Sequence, residues 1–245
     1  MQSEAKETPI STLSLQNQVK EKTTTTKPHV EIRDCGLADY REILKLQLRL
    51  CRERQQGKIP NTVLIVEHPA VITLGARQSL NKLLIAREEL ENNNIDVVDI
   101  RRGGGTTAHN PGQLVCYPIF NLRELGLGIS EYIRALEATG AELLEQLGVH
   151  STRRKGSPGL WIGERKIASI GVRVSKSVTC HGMAINIRND LNIFDFMVPC
   201  GLDHVEMTSV LKETGRDISM NKVKKEMAGI FVRCFSVRRR CRTDF

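Results

Sequence analysis

The sequence predicts an α+β fold: a mixed, largely antiparallel sheet with helices packed against it. Several runs of strand length, rich in Val and Ile, follow one another across short turns. Three longer segments repeat apolar residues at helical spacing and lie between or after groups of strands. Strand and helix do not alternate regularly, as they would in a doubly wound parallel sheet.

Residues 1–28 are rich in Ser, Thr, Gln, Lys and Glu and include TTTT at 23–26, a composition expected of a disordered tail. Helical spacing begins near Leu37, with Tyr40, Ile43, Leu44, Gln47, Leu48 and Cys51 on one face, and ends at Gly57 and Pro60. NTVLIVEHPAVITLG (61–75) reads as two strands broken at His68-Pro69. VVDIRR (97–102) and QLVCYPIF (113–120) read as two more. Ser130 is the expected N-cap of a helix through Leu147, with Ile133, Leu136, Leu143, Leu144 and Leu147 inward and Gly148 as its stop. GLWIGERKIASIGVRV (159–174) predicts a hairpin turning near Gly163-Glu164, and VTCHGMAINI (178–187) a further strand. Residues 219–236 predict a last amphipathic helix with Val223, Met227, Ile230, Phe231 and Cys234 inward. The expected organisation is one domain over 29–236 and a basic tail over 237–245.

Composition narrows the classes of function. Hydrophobic residues make up 40% of the chain and charged residues 26%, so a packed core is available. The 36 Lys and Arg exceed the 28 Asp and Glu, a net +8 that favours acidic partners. Aromatic residues are 4%, which argues against a stacking platform for single-stranded nucleic acid. The seven cysteines form no CxxC pair and are odd in number, so they read as free thiols in a reducing compartment. No apolar run reaches membrane-spanning length. The N-terminal stretch has neither a signal-peptide core nor the Arg-rich, acid-poor character of a transit peptide, so the expected location is cytoplasmic.

Four stretches could carry chemistry. RRGGGTTAHNPGQ (101–113) has three glycines that let backbone approach a ligand closely, with His109 and Gln113 beside them. The ordinary reading is a glycine-rich turn. In GERKIASIGV (163–172) Lys166 begins an otherwise apolar, small-residue strand and can face a cleft beside Ala168, Ser169 and Gly171; the ordinary reading is an exposed hairpin lysine. CHGMAIN (180–186) places His181 beside the small residues Gly182 and Ala184, as an acid or base or as a structural histidine. Pro199-Cys200-Gly201 sets a thiol on a bend. A free thiol titrates at about 8.5, so a nearby ammonium would be needed to raise its thiolate fraction. Lys166 could supply it, and a Cys/Lys pair is a workable nucleophile and acid/base couple. Without that partner Cys200 reads as a packed thiol.

In this order the four stretches resemble the lipoyl(octanoyl) transferases, whose pattern runs RGGxxTxHGPGQ, KIAxIG, HGxAxN and PCG. The resemblance spans about residues 30–215. It implies the α+β core shared with biotin and lipoate ligases, and octanoyl transfer from acyl carrier protein to a lysine of lipoyl domains. Cys200 matches the family's thioester-forming nucleophile and Lys166 the lysine that tunes it. The acyl-binding segments match Arg102, Gly103, Gly104, Gly105, Thr106, Thr107, Ala108 and His109, then Ser169, Ile170 and Gly171, then Gly182, Met183 and Ala184. No cofactor and no metal are implied. The implied partners are octanoyl-acyl carrier protein as donor and, as acceptors, lipoyl domains of 2-oxoacid dehydrogenases and the glycine cleavage H protein. A monomer is expected, with no nucleic acid or membrane partner.

The neighbouring ATP-dependent lipoate ligases share a similar GGG loop, but would need phosphate- and metal-binding residues and have no use for Cys200. A non-catalytic binder of carrier or lipoyl domains is a third reading. Nucleic-acid binding through Arg238–Arg242 is a fourth, against which a short basic tail is normally just solvated. The chain departs from the family at Ala108, where an aromatic is usual, and at Asn110, where glycine is usual. Asn tolerates the left-handed backbone best after glycine. Space vacated at Ala108 would widen the acyl pocket. Turnover of C6, C8, C10 and C12 donors would then be nearly level, and a sharp C8 optimum would exclude the wider pocket.

Overall fold

The computed structural model describes residues 29–199 and 205–236 of the protein, so both expected tails and Cys200 lie outside the described residues. In chain order the strands and helices are β1 (Val30–Leu37), α1 (Tyr40–Gln55), β2 (Asn61–Glu67), β3 (Val71–Leu74), α2 (Arg87–Asn92), β4 (Asp96–Asp99), β5 (Thr107–His109), β6 (Gln113–Ile119), α3 (Leu122–Leu125), α4 (Ile129–Gln146), β7 (Thr152–Arg154), β8 (Ser157–Ile162), β9 (Arg165–Ser175), β10 (Val178–Asn186), α5 (Val210–Thr214) and α6 (Met220–Phe235). Short 3₁₀ turns cover Gln78–Leu80 and Leu191–Phe196.

Seven strands form one sheet in the order β1-β2-β6-β10-β9-β8-β7. Only β1 and β2 run parallel, joined through α1; the other neighbours are antiparallel. A second sheet, β4-β3-β5, has one parallel and one antiparallel pair. The fold is therefore α+β with a mixed, mostly antiparallel sheet. The break at His68-Pro69 is real, but it sends β2 and β3 into different sheets.

Central strands are buried on both faces, which is why they read as unbroken apolar runs. Every residue of β6 is buried. Val63, Ile65, Leu114 and Cys116 turn toward α4 and α6, while Leu64, Val66, Val115 and Tyr117 turn toward α1 and the small sheet. The outer face of the small sheet closes over Ile72, Leu90, Val97 and Ala108 against Phe194 and Met197.

Helix faces follow from 3.6-residue spacing, with corrections at their edges. In α1 Tyr40, Ile43, Gln47 and Cys51 are buried, as are Leu50 and Arg54; Leu48 is exposed. Arg54 is buried because its guanidinium donates to Asn61 and pairs with Glu124. α4 begins at Ile129, not beyond Ser130: the Glu131 carboxylate accepts the Gly128 N–H at 2.7 Å and fixes the start. Tyr132 is buried on its inner face, while Ile133 is only half-buried. In α6 Phe235 is buried and Cys234 half-buried. Gly163-Glu164 turns the β8–β9 hairpin.

Phe120, Phe231 and Phe235 form the aromatic contact between α6 and the sheet, with ring centroids 4.9–6.4 Å apart. Phe231→Ala empties a fully buried site. It is expected to lower unfolding free energy by about 3–5 kcal/mol, measured from urea midpoints.

Candidate active site

One cleft lies between the β6–β10–β9 surface, the start of α1 and the chain from Arg102 to His109. It is narrow, with a cavity volume of about 40 Å³. Eleven of the acyl-segment residues expected from sequence line it: Arg102, Gly103, Gly104, Thr107, His109, Ser169, Ile170, Gly171, Gly182, Met183 and Ala184. Two small residues narrow the wall where β9 and β10 pair at Gly171 and Gly182. A Cβ on Gly182 would stand 2.2 Å from the Cys116 carbonyl oxygen, and one on Gly171 2.9 Å from that of Gly103. No side chain fits at either place.

Gly105, Thr106 and Ala108 are absent from the cleft wall. Gly105 packs against the backbone of Leu80, and the Thr106 hydroxyl accepts the Lys82 N–H. In β5 the side chains alternate, so Thr107 and His109 face the cleft while Ala108 joins the outer cluster of the small sheet. Ala108 therefore does not widen the cleft, and the expected relaxed chain-length preference loses its structural reason. Asn110 is not left-handed either; that conformation falls at Gly112 (φ 88°), and the Asn110 amide donates to the Asp190 carbonyl at 2.8 Å. The triple glycine is also not a row of exposed donors, because the Gly103 N–H is given to the Val172 carbonyl at 3.0 Å.

Arg102 is buried. Its guanidinium donates to the Thr73 hydroxyl at 2.8 Å and to the Thr73 and Gly103 carbonyls at 3.1 Å. Buried rings gather beside it. His109 stacks on Tyr40 with centroids 5.7 Å apart, and His68 meets both edge-on. The tautomers follow from the partners. His68 Nδ1–H donates to the Ala38 carbonyl, so Nε2 accepts from the Tyr117 hydroxyl at 2.9 Å. Gln113 uses its amide nitrogen on Ala108 and Asn186, so its oxygen accepts from His109 Nδ1–H at 2.7 Å. His109 Nε2 is left as an acceptor. Burial lowers the pKa of His68 to about 4 and those of His109 and His181 to about 3, so all three rings are neutral near pH 7. Tyr40, Val115, Tyr117 and His181 also line the cleft. Tyr40 and Tyr117 carried no sequence signal beyond their place in a helix face and a strand.

Lys166 is 2% exposed, which removes the surface-lysine reading. Its Nζ lies 5.1 Å from the centre of the Trp161 ring. Gly159 leaves room for the stem: a Cβ there would come within 2.9 Å of the lysine Cε. The Lys166 backbone is held from both sides, its N–H donating to the Glu206 carbonyl at 2.9 Å and its carbonyl accepting from Thr208 at 3.0 Å. Before the cysteine motif, Val198 N–H donates to the Lys82 carbonyl at 3.0 Å. The chain thus enters and leaves residues 200–204 at anchored points. Cys200 itself lies outside the described residues. Among those described, no group of three or more His, Cys, Asp or Glu side chains is placed to hold a metal. None of the described helices is long and apolar enough to cross a membrane.

The family model of the lipoyl protein ligase A/B catalytic domain matches residues 39–232. The chain belongs to this family. A protein of Syntrophobacter fumaroxidans named octanoyltransferase is 42% identical over 79% of this chain and 85% of its own. A mitochondrial octanoyltransferase of Arabidopsis thaliana is 37% identical over 84% of this chain and 89% of its own. The chain is accordingly an acyltransferase acting in protein lipoylation. A lipoate-protein ligase A bound with ATP has the same fold, with a TM-score of 0.69 at 16% identity over 86% of this chain and 87% of its own. The two-part lipoate protein ligase of Thermoplasma acidophilum scores 0.62 at 16% identity over 85% of each chain.

The neutral buried histidines make stability depend on pH. Their folded pKa values lie below the unfolded value of about 6.5, so the unfolded chain binds more protons as pH falls. Their contribution is complete above about pH 6.5 and drains away toward pH 4 and below. With three such rings the loss approaches about 4 kcal/mol per pH unit near pH 5. Urea midpoints at pH 7, 6 and 5 check this, and a flat profile would exclude it.

Proposed function

We propose that the chain transfers a medium-chain acyl group, octanoyl by preference, from an acyl carrier protein to a lysine of a lipoyl domain through a thioester on Cys200. The single observation that carries the reading is Lys166. A lysine 2% exposed, fastened on both sides to the chain that leaves the Pro199–Gly201 motif, has no ordinary surface role.

The steps balance without ATP. The Cys200 thiolate attacks the donor thioester carbonyl. The bond to the donor sulfur breaks, and the departing thiolate takes a proton from the Lys166 ammonium. The acceptor lysine amine then attacks the acyl-cysteine carbonyl. Neutral Lys166 accepts the amine proton, and Cys200 leaves as a thiolate beside the restored ammonium. Thioester exchange is nearly balanced and amide formation is downhill. Gly171, Gly182, Ala184 and Met183 give the acyl chain a narrow, mostly apolar wall. The buried histidines beyond them are uncharged near neutral pH, so they set no cation against the chain. A net charge of +8 suits acidic carrier and lipoyl domains.

Intact-protein mass spectrometry after mixing with octanoyl-acyl carrier protein, without ATP, tests the intermediate. A hydroxylamine-labile octanoyl adduct is expected on the wild type and not on Cys200→Ser. Lys166→Met is expected to lower turnover about 10²–10⁴-fold with the fold intact by circular dichroism. Absence of the adduct, with activity appearing only on adding ATP and a free acid, would move the chain to the ligases.

A further inference from the structure

We propose that Glu137 of α4 is a positioning residue for Lys166: its carboxylate holds the β8 backbone against which the lysine stem lies, and its negative charge bears on the lysine's ammonium. The proposal rests on the acyl-transfer reading above and adds a third side chain to the pair named there. Glu137 is 6% exposed, and among the described residues it is the only buried carboxylate. A carboxylate taken out of water is costly unless hydrogen bonds and a cation compensate it. Both are at hand.

The hydrogen bond comes from β8. The pairing of β8 with β9 shifts register between Leu160 and Trp161, and just before that shift Glu137 Oε1 accepts the Gly159 N–H at 3.1 Å. Gly140, one turn beyond Glu137, lets α4 come this close: a Cβ there would stand 2.8 Å from Leu160 Cδ1. Gly159 itself holds φ 135°, and a Cβ on it would stand 2.2 Å from the Ala168 carbonyl oxygen and 2.9 Å from Lys166 Cε. The residue that Glu137 fastens is therefore the one that gives the lysine stem its room.

Three cations act on the carboxylate: Arg153 of β7 most, then Arg134 of α4, then Lys166 of β9, while β8 offers the Gly159 N–H. Burial raises the Glu137 pKa, and these four groups oppose the rise. Arg153 is half-buried and Arg134 exposed, so water screens them; Lys166 is buried, where a charge is screened least. The other charges beside the Lys166 backbone, Arg165 and Glu206, are paired with Glu213 and Lys212. An amide would have satisfied Gly159 without the cost of a buried charge, so the charge needs a reason of its own. An opposite charge favours the protonated form of an amine. In the cycle above, Glu137 extends to higher pH the range in which the Lys166 ammonium can protonate the departing donor thiolate, and strengthens the free amine as the later base.

Glu137→Gln keeps an acceptor for Gly159 and removes the charge. Octanoylation of the full chain by octanoyl pantetheine thioester is followed by intact-protein mass spectrometry across the pH range. The ratio of variant to wild-type rate is expected to fall about threefold between about pH 7 and 9.5, whereas a purely structural role lowers it by one factor throughout. A second measurement uses no substrate and does not need that variant to fold. Lys166→Met removes the buried cation and leaves the carboxylate with a folded pKa further above its unfolded value. The resulting cost is full at high pH and is relieved as pH falls through the folded value. The urea midpoint of Lys166→Met, each time against wild type at the same pH, is thus expected to drop more at pH 7 than at pH 5; the histidine contributions cancel in that comparison. A rate ratio independent of pH, or equal midpoint losses at the two pH values, overturns the role of Glu137 while octanoyl transfer stands. If the wild type forms no octanoyl adduct, the acyl-transfer reading fails and the positioning role with it.

Discussion

The cleft depends on one buried carboxamide. Asn186 ends β10, accepts from Gln113 at 2.8 Å and from Asn189 at 3.4 Å, and donates to the Thr208 carbonyl at 2.9 Å. Gln113 in turn holds the tautomer of His109, and Thr208 holds the backbone of Lys166. Three distant stretches of chain are thereby tied to one side chain. Burial makes the arrangement discriminating: a carboxamide stripped of water must find its partners or pay about 1–3 kcal/mol for each one missed. The small sheet, the large sheet and the segment after the cysteine motif can therefore meet only in one register.

A second constraint is charge. The chain is basic, yet the ionisable rings that line the cleft or back its wall are held neutral by burial. Most Lys and Arg side chains of the described residues are instead exposed or half-exposed, where their charge adds to the field of the protein surface. Arg54, Arg102, Lys166 and Lys224 are buried; of these Arg102 lines the cleft, and its Nη atoms are engaged by Thr73 and Gly103, both part of the scaffold. Lys166, near the start of β9, is set apart from these rings and against Trp161 of β8.

Much of this was legible in the residues, and the misses have physical causes. Long helices were readable because their buried faces repeat every 3.6 residues, although Leu48 and Ile133 fell just outside those faces. β6 was readable as a strand from its apolar run, but a strand buried on both faces carries no alternation to say which side chains face which layer. The strands β5 and β7, three residues each, are too short to show a local pattern; β5 is held by the distant β3, and β7 only by the hairpin it closes with β8. Ala108 misled for the same reason: its orientation comes from pairing with Ile72, not from its place in a motif. His68 and Tyr117 sit 49 residues apart, and no spacing rule connects them.

By itself the sequence determined the residue chemistry: an ordered set of glycines, a lysine and a cysteine in the pattern of one family, and enough apolar periodicity to require an α+β domain. Tertiary structure decided which of those residues share a surface. It buried Lys166, turned Ala108 away, drew Tyr40, His68 and Tyr117 beside His109, and brought the Glu137 carboxylate of α4 to β8. The division follows from range. Periodicity and turn chemistry are local and survive in the order of residues, whereas burial and hydrogen-bond partnership are set by chain segments that meet only when the sheets close.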